Sequence, residues 1–200
     1  MNSETENYPE DRSLVSKVLG GDNHAFGIVI KNTEGLVAMI VFKMIPNAYD
    51  RKDIAQDIYL KAFNRLSGFR FQCKLSTWIG QIAYNTCLHY LEKKKLVLIG
   101  KEEDDGERPD AWYNKLSAAL TNDTEIILFR KELSGILQEE TEKLPAVYKT
   151  LISLYHQQEL SYDEINQITG LPAGTVKNYL FRARKLLKEN ILAKYKKEDL

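Results

Sequence analysis

Asp53 and Asp57 stand one turn apart in DRKDIAQDIYLKAFNRL (residues 50–66), a spacing at which two carboxylates can share a metal ion or divide acid and base roles. No histidine lies near them in sequence to complete a ligand set. A solvated acidic face and a docking surface for a basic partner are the other readings. Cys73, Cys87 and His89 are the remaining candidates for metal or nucleophile chemistry. They lack the paired CxxC spacing of structural zinc sites, and Cys87 and His89 point to different sides of one helix. No phosphate-cradling glycine loop and no nucleophile elbow occur. Non-covalent chemistry fares better. In SGFRFQCKLST (residues 67–77), Phe69 and Phe71 flank Arg70, and Lys74 follows shortly before Trp78. Flat rings among cations are what unpaired bases need, although such rings also fold back into cores. Near the other end, Lys177, Asn178, Arg182, Arg184, Lys185 and Lys188 lie off an apolar stripe, combining base-reading groups with phosphate-holding charge.

Helices must carry these residues. Tyr162, Ile165 and Ile168 recur at helical spacing, Gly170 suits a tight turn, and Pro172 is expected in the first position of a second helix. That helix buries Val176, Leu180, Ala183 and Leu187, which makes a helix-turn-helix with a basic second helix. Upstream, Asp11 to Leu19 reads as a short helix, and Asp22 caps a second that runs towards Ile45. Ile54, Ile58, Ala62 and Leu66 line one face of the Asp50–Leu66 helix. Ser76 is expected to cap a helix from Thr77 to Lys95, with Trp78, Ile82, Leu88 and Leu91 inward and Gln81, Asn85 and His89 as a polar stripe. Leu96 to Asn122 has no sustained period and reads as a linker. A further helix is expected from Asn122 or Asp123 to Thr141, and another from Pro145 to Gln157.

Charge points to the partner. The chain of 200 residues has 28 Lys or Arg against 28 Asp or Glu, yet these are segregated. Residues 171–197 hold eight basic groups and one acidic, while residues 101–110 hold six acidic and two basic. A basic end on a neutral chain implies an anionic partner for that end. The polar, acidic start does not read as a signal peptide, and the longest apolar run, Leu36 to Ile45, already contains Lys43. Two cysteines fit a reducing cytoplasm.

Three blocks carry a resemblance: Asp53-Ile-Ala-Gln56-Asp57-Ile-Tyr59, Leu66-Ser-Gly-Phe69-Arg70, and Thr77-Trp78-Ile79-Gly-Gln-Ile82-Ala83-Tyr-Asn85. Together they resemble domain 2 of an extracytoplasmic-function sigma factor of bacterial RNA polymerase. Leu144-Pro145, Leu160 through Ile165, Gly174-Thr175-Val176-Lys177 and Arg182-Ala183-Arg184 resemble domain 4 of that family. The resemblance implies an all-α protein with a first domain at residues 1–95, a flexible acidic linker at 96–122, and a helix-turn-helix domain at 123–200. It implies polymerase docking through Asp53, Gln56, Asp57 and Lys61, on the clamp helices of the β′ subunit, with the flap of the β subunit as a second contact. The −10 element's non-template strand would meet Phe69, Arg70, Phe71, Lys74, Thr77, Trp78, Gln81, Asn85 and His89. The −35 duplex would meet Ala173, Gly174, Thr175, Lys177, Asn178, Phe181, Arg182, Arg184 and Lys185. It also implies an anti-sigma partner, no cofactor, no membrane insertion and no covalent chemistry. His89, Glu92-Lys93-Lys94, Asn166 and Tyr179 depart from the pattern of most relatives. A free-standing helix-turn-helix regulator of duplex DNA is the alternative, and an enzyme with bound zinc a third reading.

Overall fold

The computed structural model describes residues 8–95 and 134–194, so the linker expected at 96–122 and the helix start expected at Asn122 or Asp123 lie outside the described residues. Four helices make the first half: α1 (Pro9–Leu19), α2 (Asn23–Met44), α3 (Ala48–Arg65) and α4 (Leu75–Lys95), with a single 3₁₀ turn at Leu66–Gly68. In the second half come α5 (residues 134–142), α6 (Ala146–His156), α7 (Tyr162–Thr169) and α8 (Ala173–Lys194).

Local signals set most boundaries. Asp22 accepts hydrogen bonds from the His24 and Ala25 amides at 2.9 and 3.1 Å, which caps α2. Ser161 and Glu164 form a reciprocal capping box on α7, and Gly170 closes that helix at φ 71°. Gly170→Ala would force a β-carbon into the left-handed region. It is expected to lower urea stability by about 1–2 kcal/mol while leaving the spectrum of the folded chain unchanged. Pro145 and Pro172 stand just before α6 and α8 rather than at their first positions. α4 begins at Leu75, ahead of the expected Ser76 cap. The Leu75 amide donates to Asp11 of α1 at 2.8 Å, so a carboxylate 64 residues away satisfies this helix end.

The core is continuous through both halves. α2 packs against α1, α3, α4 and α6, and α4 packs against α2, α3 and α7. α2 is long and apolar enough to cross a membrane by length and composition, but here it is the helix around which four others assemble. Among the described residues, the buried side chains of α4 are Leu75, Thr77, Ile79, Ile82, Ala83, Tyr84, Thr86 and Cys87. Trp78, Leu88 and Leu91, expected inside, are half-buried beside them. Gly80 marks the closest approach: a β-carbon there would meet Leu36 Cδ2 and two Ile168 carbons, each at 3.2 Å. This bare backbone lets α2 and α7 close on α4 together.

Candidate nucleic-acid and polymerase interface

Ile54, Ile58 and Ala62 turn α3 inward. At 100° per residue, Asp53, Gln56 and Asp57 fall on the opposite side. Asp53 and Gln56 are exposed and Asp57 is half-buried. Leu60 stands among them at 60 % exposure. Sequence reasoning missed it, although its position one turn after Gln56 and two after Asp53 put it on the same face. Lys61 leaves this face. Its Nζ lies 2.7 Å from Asp57 Oδ2 and donates to Thr86 Oγ1 of α4 at 3.3 Å.

The aromatic loop folds back. Phe69 is buried, its ring 4.7 Å from that of Phe71 and 5.1 Å from that of Trp78. Phe71 sits at φ 56°, an uncommon conformation for a bulky residue, with the Arg12 guanidinium 4.4 Å above its ring. Beside the rings opens a cavity of 380 Å³. Phe69, Arg70, Thr77, Trp78 and Gln81 are brought together in its wall, joined by Gly68, Gln72 and Cys73. Gln167 of α7 closes one side. Asn85 and His89 continue the exposed stripe along α4 outside this wall, and His89 Nδ1 is 3.2 Å from Glu92 Oε2. Lys74 is turned to Glu164 of α7 at 2.8 Å, a pairing that raises the lysine's pKa and lowers the glutamate's. α7 therefore walls the cavity through Gln167 and, outside that wall, holds Lys74 through Glu164.

Burial governs both thiols. It pushes Cys87 up to about 12 and raises Cys73, with Asp11 adding to the second shift. Neither is a thiolate at neutral pH. Among the described residues, no group of three His, Cys, Asp or Glu is placed to hold a metal ion.

The third surface is α8. Val176, Leu180 and Ala183 are buried against α6 and α7. Ala173, Gly174, Lys177, Asn178 and Lys185 are exposed, whereas Thr175, Phe181, Arg182 and Arg184 are half-buried. Lys177 Nζ lies 5.6 Å from the Tyr162 ring centroid, and the Arg184 guanidinium 5.3 Å from that of Tyr155. Arg184 Nη2 also approaches His156 Nε2 to 3.4 Å. Burial first, then the Arg184 charge, hold the His156 pKa below the usual histidine value. Such an imidazole binds fewer protons folded than unfolded. Its stabilisation is complete above about pH 6.5 and is lost as pH falls through the folded-state value. Urea midpoints are expected to drop between about pH 7.5 and about pH 5.5, and to drop less in His156→Gln.

A family model described as sigma-70 region 2 matches residues 29–97, and one described as sigma-70 region 4 matches residues 134–187. The chain is 31 % identical over 182 residues to the ECF RNA polymerase sigma factor SigW of Bacillus subtilis, an alignment spanning 90 % of this chain and 96 % of that one. It belongs to the extracytoplasmic-function sigma factors. The ECF RNA polymerase sigma-E factor of Escherichia coli is likewise 31 % identical over 181 residues, covering 90 % of this chain and 94 % of that one. The fold agrees. A solved structure of CnrH in complex with the cytosolic domain of CnrY matches with a TM-score of 0.60 at 19 % identity, covering 92 % of this sigma factor and 99 % of that chain. The sigma factor RpoE in complex with the anti-sigma factor NepR, from Bartonella quintana, gives 0.58 at 19 % identity, covering 86 % and 98 %.

The sigma factor thus directs RNA polymerase to promoters, and the similarity runs through both halves, unlike that of a free-standing regulator. Two departures from the family pattern have structural work. Asn166 donates to the Leu171 carbonyl at 2.6 Å and ties the helix-turn-helix turn together. Tyr179 packs its ring 5.5 Å from that of Tyr148, against α6.

Proposed function

We propose that this sigma factor divides promoter work among its three surfaces, acting in the cytoplasm without covalent chemistry of its own. The α3 face of Asp53, Gln56, Asp57 and the exposed Leu60 docks on the clamp helices of core polymerase, an apolar centre ringed by charge. The flap of the β subunit holds the helix-turn-helix half. The cavity beside Phe69 and Trp78 takes one unpaired base of the −10 non-template strand, with Thr77 and Gln81 in hydrogen-bond reach of its edge and Arg70 near the phosphates. Asn85 and His89 guide the strand along α4. The −35 duplex meets the outward residues of α8: Ala173, Gly174, Thr175, Lys177, Asn178, Phe181, Arg182 and Lys185. The solved structures of CnrH and RpoE hold their partners CnrY and NepR, which supports an anti-sigma partner for this chain also.

The observation that carries this reading is the cavity: its walls combine an aromatic floor, polar side chains and a cation, at the small end of ligand clefts. The experiment is promoter opening by reconstituted holoenzyme, followed by fluorescence of a base analogue in the −10 strand of a promoter enriched from a randomised library. Trp78→Ala is expected to cost about 1–3 kcal/mol of strand capture, which is the usual worth of one stacked base. Unchanged capture would remove the cavity from the promoter interface.

A further inference from the structure

We propose that Arg184 is a positioning residue for −35 reading, fixing the rotation of α8 against α6 and α7 instead of touching DNA. The inference rests on α8 being the −35 reader. In the sequence Arg182 and Arg184 look equivalent, two arginines on a basic helix. At 100° per residue they stand 160° apart when measured the short way round the axis, so the two side chains leave α8 on different flanks.

Arg184 lies on the flank where three helices meet. The Tyr155 ring of α6 and the Tyr162 ring of α7 are stacked, with centroids 5.1 Å apart and planes within 28°. The Arg184 guanidinium lies 5.3 Å from the Tyr155 centroid, and its Nη2 is 3.4 Å from His156 Nε2. His156, at the end of α6, meets the Tyr155 ring edge-on at 4.9 Å. The neutral imidazole favoured there can accept from the guanidinium. The same guanidinium opposes the rise that burial imposes on the Tyr162 pKa, so its charge is felt on α7 as well. One planar cation from α8 therefore engages both α6 and α7. A guanidinium suits this work because its donors are held in a rigid fork and its face stacks on aromatics.

The apolar stripe of Val176, Leu180 and Ala183 tells α8 which side to bury. Smooth apolar contacts tolerate small rotations, whereas a ring stack with a directed hydrogen bond does not. Base edges are read by hydrogen bonds that weaken steeply with misalignment. Loss of Arg184 would then degrade every base contact of α8 together.

The test uses holoenzyme and a library randomised across the −35 element, with the enriched wild-type sequence as probe for affinity at several salt concentrations. Arg184→Gln is expected to lower discrimination at all −35 positions read by α8, with about 10-fold weaker binding and an unchanged salt slope. Tyr155→Leu should reproduce this, and the double variant should be little worse than either, since both break one contact. Arg184→Lys, which keeps a cation near the ring, should recover part of the loss. A fall in discrimination confined to one position would make Arg184 a base reader, and a salt slope shallower by about 0.9 would make it a phosphate contact. Either result overturns the inference. Failure of both Arg184 variants to fold, read by thermal melting, would reduce the residue to stability alone and overturn it too. Asn178→Ala and Lys185→Ala separate the two levels. If they leave −35 selection intact, α8 is not the reader; if they impair it while Arg184→Gln does not, only the positioning role fails.

Discussion

Ile168→Ala is expected to raise the affinity of the free chain for an unpaired −10 oligonucleotide by up to about 30-fold. Ile168 is fully buried, and its carbons are among the atoms a Gly80 β-carbon would meet at 3.2 Å, so it is the side chain that seats α7 on α4. With α7 seated, Gln167 walls the cavity and Glu164 occupies Lys74. Truncating a buried isoleucine costs about 2–5 kcal/mol, shared between the helix-turn-helix core and its contact with α4. If strand entry requires Gln167 and Glu164 of α7 to leave their present places, apparent affinity scales with the fraction of molecules in which they have left, so some 2 kcal/mol lost from the contact is about 30-fold. Gly80→Ala should act in the same direction more weakly, because Leu36 and Ile168 must each yield only a few tenths of an ångström. Glu164→Gln keeps the capping box of α7 while removing the charge pair, and an exposed pair of this kind contributes about 1 kcal/mol at most. The assay is fluorescence of a base analogue in the oligonucleotide, titrated without polymerase, beside a thermal melt of each variant. A folded Ile168→Ala chain that binds within twofold of wild type would mean that α7 does not restrict the cavity.

Reversing both acidic charges of α3, as Asp53→Lys with Asp57→Lys, is expected to cost polymerase binding about 2 kcal/mol or more per charge that reaches the centre of the interface. That is about 30-fold each, measured by competition for core polymerase against the wild-type chain. Stability should change by less than about 1 kcal/mol, because both residues lie on the solvent side of α3 and exposed pairs such as Asp57–Lys61 contribute little. Leu60→Ala is the companion: it removes apolar area from the same face without altering charge, and should weaken docking with no loss in the melt. A double reversal that melts well below wild type would mark the carboxylates as structural, and undiminished competition would return them to a solvated face.

The sequence by itself determined most of the described helices and, α4 apart, which side of them meets water. Period, caps and breakers act over a few residues: Asp22 on α2, the Ser161–Glu164 box and Gly170 on α7, and the stripe of Val176, Leu180 and Ala183 on α8. The α3 acidic face and the exposed row of Gln81, Asn85 and His89 were legible for the same reason. Periodicity reports a side chain's direction from its own axis, however, and says nothing of which element covers it. The inward turn of Phe69, the capture of Lys61 by Thr86, and the capping of α4 by Asp11 all depend on neighbours distant in the chain. So do the seat of α7 on Gly80 and the contacts of Arg184 with Tyr155 and His156, which charge counting does not reveal. Only the tertiary structure decided these, because each follows from which surfaces meet when separate helices bury their apolar stripes against one another.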